Sequence, residues 1–290
     1  MAYPDSVEAL EAALLSRAYI PDRGLTVATH LAIQMGRPLF VEGEPGVGKT
    51  EIAKVLASIT GAKLIRLQCY EGLDASHAIY EWDYAKQMLA IRMLEARGDD
   101  IEPTDIMSDE YLVARPLLQA IRHSAEGDPT VLLIDELDRA DEEFEAYLLE
   151  ILSEFQITIP EIGTIRAETP PIVVITSNRT REIHDAVKRR CVYHWIDYPS
   201  VEREIEILHA RAPDLPDALA KELAEAMAKL RDLDLFKPPG VAETIDWANA
   251  LSILDVDRLS PEAVDSTLGV VVKYEEDLVT VRTAGTELLA

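Results

Sequence analysis

An α/β fold with one parallel sheet, followed by a smaller all-helical region, is predicted by three observations. Apolar runs of four to seven residues, rich in Val, Ile and Leu, occur at 38–41, 63–69, 130–135, 171–176 and 191–196. They are too short for helices and continuous enough for strands buried on both faces. Stretches with 3.6-residue periodicity lie between them, and after Pro199 the strand-like runs stop.

The five runs suit one sheet. Ile52, Val55, Leu56 and Ile59 share a face of the first intervening helix, and Phe144, Tyr147, Leu148, Ile151, Leu152 and Phe155 form a longer stripe with acids opposite. Both stripes read as core. Gln156 to Arg166 alternates around Pro160-Glu161-Ile162-Gly163, which predicts a β-hairpin inserted before the fourth strand. From Ser200 onward Val201, Ile205 and Leu208, then Leu219, Leu223, Met227 and Leu230, repeat at helical spacing. Ser260-Pro261-Glu262 predicts the start of the last helix, with Ser as N-cap and Pro at the first position. The expected boundary separates an α/β domain, 1–199, from a helical domain, 200–290.

Composition bounds the function. A chain of 290 residues has room for about two domains at roughly 150 residues each, and 48% hydrophobic with 28% charged residues is a globular balance. The 53 acidic against 28 basic residues give a net charge of -25, which disfavours nucleic acid or an anionic membrane as partner and suits solubility. Residues 99–110 hold six acids and no base; they read as a solvated loop or insert and a docking site for a basic partner. Cys69 and Cys191 lack disulfide or zinc spacing, and the six histidines show no metal-ligand spacing. The first residues have no basic n-region or apolar h-region, and no apolar run approaches about 18 residues. A cytoplasmic setting is expected, with peripheral membrane attachment through a partner left open.

The chemistry concentrates at four places. Gly43-Glu44-Pro45-Gly46-Val47-Gly48-Lys49-Thr50 matches G-x-x-x-x-G-K-[ST] between a strand and a helix. In such a loop backbone N–H groups and a helix N-terminus face phosphates, Lys49 reaches the β and γ oxygens, and Thr50 ligands magnesium. The run Val131 to Ile134 delivers Asp135 to a strand end, where a carboxylate holds hydrated magnesium, and Glu136 beside it suits a general base for water. Asn178, after the run 171–177, offers an uncharged hydrogen-bonding group to the γ-phosphate or the attacking water, or serves as a simple turn residue. Lys188-Arg189-Arg190 is a basic cluster in an acidic chain; Arg190 or Arg189, delivered to a neighbour's γ-phosphate, is worth about 10³ to 10⁵ in rate, against ordinary surface pairing as the alternative.

These residues, in this order, resemble the AAA+ ATPases over nearly the whole chain, and Asp135-Glu136-Leu137-Asp138-Arg139-Ala140 looks like the D-E-x-[ND]-R-A run of the MoxR family. The region from Gln68 to Tyr84 is similar to MoxR-type ATPases encoded beside molybdenum hydroxylases such as aerobic carbon monoxide dehydrogenase. The resemblance implies a P-loop AAA+ core with a hairpin insert and a helical lid. Lys49 and Thr50 become Walker A, Asp135 and Glu136 Walker B, Asn178 sensor 1 and Arg190 the arginine finger, with Arg139 assisting across an interface. The family's lid brings a sensor 2 arginine in a Ser-Pro-Arg-like turn; here Lys237 to Trp247 contains no arginine, and Lys237 is only a weak substitute.

What the resemblance implies is an ATPase using ATP and Mg2+, forming a homo-hexameric ring and remodelling a protein client. It further implies metalloenzyme maturation or metal-cofactor assembly, with a metalloenzyme client and a von Willebrand factor A-type partner. Tyr70, Tyr80, Trp82 and Tyr84 either line a ring pore or pack beneath the insert. Competing readings are a DNA motor or clamp-loader-like ATPase, disfavoured by the acidity, a nucleotide-held switch, disfavoured by Glu136 and Asn178, and a small-molecule kinase, for which no acceptor pocket is identifiable.

Overall fold

The computed structural model describes residues 3–98, 102–286 and 289. Helices α1 (Val7–Leu15) and α2 (Arg23–Met35) precede strand β1 (Leu39–Gly43), followed by α3 (Lys49–Thr60) and β2 (Lys63–Gln68). An excursion follows: α4 (Ala75–Ala78), β3 (Tyr80–Trp82), α5 (Tyr84–Arg97), α6 (Pro103–Ile106) and β4 (Leu112–Ala114). The chain returns through α7 (Pro116–Ala125) and β5 (Thr130–Asp135), then α8 (Glu142–Glu154), β6 (Gln156–Ile159), β7 (Gly163–Arg166) and β8 (Ile172–Ser177). After α9 (Asp185–Lys188) and β9 (Val192–Ile196) come α10 (Val201–Arg211), α11 (Asp217–Asp232), α12 (Val241–Ile253), α13 (Pro261–Val271) and α14 (Glu275–Ala284).

The five predicted strands form one sheet in the order β2-β5-β8-β1-β9. β5 lies parallel to β2 and to β8, with Gln68 opposite Asp135 and Ile134 opposite Ile175. Every residue of β5 and β8 is buried, because helices cover both faces of a sheet built from crossover connections. The hairpin is present as antiparallel β6 and β7, with Ile159 paired to Gly163. Asp141 caps α8 by accepting from Phe144 N at 2.8 Å, and Ser260 caps α13 by accepting from Ala263 N at 3.2 Å.

The C-terminal end and the excursion after β2 differ from the sequence-based expectation. The helix opened by Ser260-Pro261 is followed by another, α14, whose acidic first turn and few buried positions, Asp277 and Val281, give it no apolar stripe to read. The excursion after β2 contains an antiparallel pair, β3 with β4, joining residues 30 to 34 positions apart. Strands of three residues carry no periodic signal.

The chain divides into two compact units that interleave in sequence. One comprises Met1–Asp5, Val27–Val41 and Ala53–His194; the other comprises Ser6–Thr26, Glu42–Ile52 and Trp195–Ala290. A cut at 199 therefore does not coincide with this division. Residues 6–26 join the helical unit because Arg203 on α10 donates to Ile20 O at 2.8 Å and pairs with Asp22, and residues 42–52 join it because Arg211 pairs with Glu51 at 2.9 Å. The first unit has its core between sheet and helices, including Leu132, Ile134, Val173, Ile175, Ile121 and Leu148. The helical unit packs around Trp247, which is fully buried and donates to Thr267 Oγ1 at 2.7 Å.

Candidate functional site

The loop Glu44 to Gly48 sits in the helical unit, between the end of β1 and the start of α3. Gly46 and Gly48 take φ values of 76° and 93°, open to glycine and strained for other residues, so the backbone curls there in a way a glycine-rich loop allows. α3 starts at Lys49, and its first N–H groups lack intrahelical acceptors, which gives the curl a positive end. Lys49 is buried, with Nζ donating to Gly43 O at 2.8 Å and Glu44 O at 2.6 Å. Its ammonium is thus parked on the loop's own carbonyls, on a stem that reaches across the curl. Thr50 follows, half-buried, in the first turn of α3.

In the first unit the ends of β5 and β8 bring the other predicted residues together. The Asp135 side chain is buried: Oδ1 accepts from Thr176 Oγ1 at 2.6 Å, and Oδ2 accepts from Arg66 Nε at 3.0 Å. The same threonine oxygen accepts the Glu136 N–H at 2.9 Å. Glu136 itself has φ 56° and ψ 51°, a left-handed conformation that costs a non-glycine residue on the order of 1 kcal/mol. Its carboxylate Oε2 lies 3.4 Å from Arg139. Such local strain is commonly held in place at reacting groups.

Asp138 performs a task that residue types alone did not reveal. It is buried, and its carboxylate accepts from Asn178 N at 3.2 Å, Thr180 N at 2.9 Å and Thr180 Oγ1 at 2.7 Å. The turn carrying Asn178 is therefore tied to the turn carrying Glu136 by one carboxylate. Arg66 and Thr176 also escaped sequence reading, since their meaning depends on cross-strand alignment with Asp135. Asp138 left a signal in the D-E-x-[ND]-R-A run; Arg66, an ordinary strand arginine, left none.

The two candidate arginines differ in how they are held. Arg189 extends into solvent near Asp185 at 3.7 Å, whereas Arg190 donates to Ser153 Oγ at 3.1 Å and to Ala186 O at 3.2 Å. Nearby Arg181 pairs with buried Glu145 and donates to Ala140 O, which braces the segment leading to α9. In the helical unit, Lys237 is exposed and its N–H donates to Asp277 Oδ2 at 3.2 Å. Arg231 is fully engaged: it forms a two-point ion pair with Glu204 at 2.6 and 2.7 Å and donates to Pro239 O at 2.9 Å.

A buried carboxylate and a hydroxyl are hard oxygen donors, so Asp135 and Thr50 have the chemistry magnesium requires; Arg66 is the cation already neutralising Asp135. Burial pushes the Cys69 thiol up to about 12, with Asp135, Asp138 and Glu136 adding to the effect. It is an inert neighbour of the acids. His123, Glu126 and Asp128 bring ligand atoms within 4.8 Å of one another, a grouping that spacing did not suggest, with two of the three residues exposed.

Of the aromatics, Tyr80 and Trp82 stack edge to face at 6.1 Å and pack on the core, while Tyr70 and Tyr84 are exposed. Tyr84 opens α5, which also exposes Met88, Leu89 and Met93. The acidic stretch 99–110 lies partly outside the described residues; within it Asp109 pairs with Arg122, and Glu110 pairs with Lys86 at 3.1 Å. Those two acids are matched within the chain.

Residues 38–191 match the family described as AAA domain, dynein-related subfamily, which is more than half of the chain. The gas vesicle ATPase GvpN of Haloferax mediterranei is 26% identical over 237 residues, covering 78% of this chain and 65% of that protein. YehL of Escherichia coli, an uncharacterised protein, is 26% identical over 242 residues, covering 76% and 61%. A Thermotoga maritima RuvB variant aligns with a TM-score of 0.49 at 18% identity, over 94% of this chain and 72% of that one. The chain spans 58 to 65% of the length of the curated relatives it matches.

Proposed function

We propose that this chain, which belongs to the dynein-related subfamily of AAA domains, hydrolyses ATP and uses the energy to remodel a protein client. The observation that carries the reading is the strand-end arrangement of the first unit. Asp135 is fixed by Thr176 and Arg66, Glu136 follows it in a left-handed conformation with its carboxylate 3.4 Å from Arg139, and Asn178 is tied to the same turn through Asp138. An inert anion-binding loop has no need of a second carboxylate at the strand end.

In this reading the N–H groups of the loop 43–48 and the Lys49 ammonium bind the phosphates, with Lys49 exchanging two carbonyls for phosphate oxygens. Thr50 and Asp135 are the residues that would hold Mg2+, which would supply positive charge to offset that of the phosphates. Glu136 accepts a proton from the attacking water, a contribution of about 10²- to 10⁴-fold, and Asn178 orients that water. Arg190, or Arg189, reaches the γ-phosphate of a neighbouring copy in a homo-hexamer.

The finer assignment is a MoxR-type role in maturing a molybdenum-hydroxylase-like metalloenzyme, with a von Willebrand factor A-type partner, in the cytoplasm or at a membrane through that partner. It is supported by the residue runs at 68–84 and 135–140. Among the described residues no helix is long and apolar enough to cross a membrane. The test is affinity capture with tagged Glu136→Gln protein in ATP. Retained ATP without turnover, and a co-purifying metalloenzyme, are the expected results. Normal turnover by Glu136→Gln would remove Glu136 as the base, and capture of nucleic acid alone would favour the motor.

A further inference from the structure

Within the helical unit, the start of α12 meets the loop 43–48 through backbone. Residues 42–52 and the helices beyond 195 fold together, and Ala242 N, in the first turn of α12, donates to Gly46 O at 3.1 Å. A Cβ on Gly46 would meet Glu243 Oε2 at 2.9 Å and Gly240 Cα at 3.1 Å. A Cβ on Gly240 would stand 2.6 Å from Pro45 O and 2.7 Å from Gly46 Cα. Each glycine is required by the approach of the other. Glu243 closes the arrangement by accepting the Gly240 N–H at 2.9 Å, so the start of α12 is capped while it touches the loop.

Two backbones in contact have no rotatable side chain between them to absorb a displacement. A movement of Gly46 must carry Gly240, and with it the first turn of α12. Farther along the same helix, Thr244 donates to Glu204 Oε1 and Trp247 is bonded to Thr267, so α12 is fastened to α10 and α13. The stretch Lys237 to Trp247, which lacks the arginine expected of a sensor 2, is therefore joined to the loop by another means.

We propose that Gly240 is a positioning residue for the phosphate loop. The Gly46–Gly240 contact, with the Ala242 N–H, is the route by which phosphate binding at the loop reaches α12 and, through it, α10 and α13. The transmission half of this proposal rests on the loop being an ATP site, as read above.

The test is residue-resolved hydrogen exchange on the full chain, with and without saturating ADP and Mg2+, in wild type, Lys49→Ala and Gly240→Ala. In the nucleotide-free state, amides of 43–49 exchange faster in Gly240→Ala than in wild type, while the Trp247 amide exchanges as slowly as in wild type. With ADP, exchange at the Ala242 amide changes about fivefold or more in wild type and is unchanged in Lys49→Ala. Gly240→Ala binds ADP at least about tenfold more weakly by calorimetry, roughly 1.4 kcal/mol.

Wild-type loop exchange and wild-type affinity in Gly240→Ala would overturn the positioning role. ADP binding without any change at Ala242 would overturn the transmission route, and that measurement uses wild type alone, so it stands even if Gly240→Ala does not fold. A wild-type protein that binds no nucleotide overturns the ATP reading and the transmission half together; the nucleotide-free arm, or the melting behaviour of Gly240→Ala, still decides the contact.

Discussion

At the scale of single residues, the organising group is a carboxylate outside the usual motif roles. Asp138 accepts two backbone N–H groups and a hydroxyl from the turn bearing Asn178. Removing one partner of a buried hydrogen bond leaves the other unsatisfied, at about 1–3 kcal/mol. Asp138→Ala is expected to lower stability by that amount in urea unfolding. It should also slow hydrolysis about tenfold or more, corresponding to about 1.4 kcal/mol, with ATP affinity within about threefold of wild type. Loss of affinity matching the loss of rate would show that Asp138 acts on the whole fold rather than on the Asn178 turn. Glu136 and Asn178 were legible from their place after apolar runs. Arg66 and Thr176 were not, because a partner 69 or 41 positions away becomes a neighbour only when strands align.

Among elements, the helices of the second unit owe their mutual fit to a buried ion pair as well as to apolar packing. Glu204 on α10 and Arg231 on α11 have side chains only 1% and 8% exposed, and Thr244 on α12 joins them. Breaking such a pair on one side leaves an uncompensated charge, at about 3–5 kcal/mol. Arg231→Ala is expected to cost that much, measured by denaturant midpoint, whereas the double change Glu204→Gln with Arg231→Met recovers most of it. A cost below about 1 kcal/mol for Arg231→Ala would place the pair with weak surface bridges. The apolar periodicity of α8, α10 and α11 announced these helices; α14 and the β3–β4 pair stayed hidden because an acidic first turn and three-residue strands lack a period to detect. α5 was missed for a related reason: its apolar residues are largely exposed, with Gln87 its buried residue.

For the whole molecule, the charge of -25 and the placement of the arginines at 189 and 190 carry the argument. If Arg190 serves a neighbour's γ-phosphate, hydrolysis per chain must rise with protein concentration as rings assemble. Arg190→Ala should then lose about 10³- to 10⁵-fold in rate while keeping ATP affinity. Phosphate release measured from dilute to concentrated protein checks this. A flat rate per chain would show that each copy is self-sufficient.

The sequence by itself determined the strand set, the hairpin, the glycine-rich loop before α3 and the acids at the strand end, because each is written in contiguous residues with a local physical signature. Tertiary structure alone decided the interleaved units, the bracing of Asp135 by Arg66, the tie from Asp138 to Asn178, and the seating of Gly240 on Gly46. Each of these depends on two distant segments meeting, and local pattern cannot specify a long-range contact between residues whose types, an arginine in a strand or a glycine before a helix, are common for other reasons.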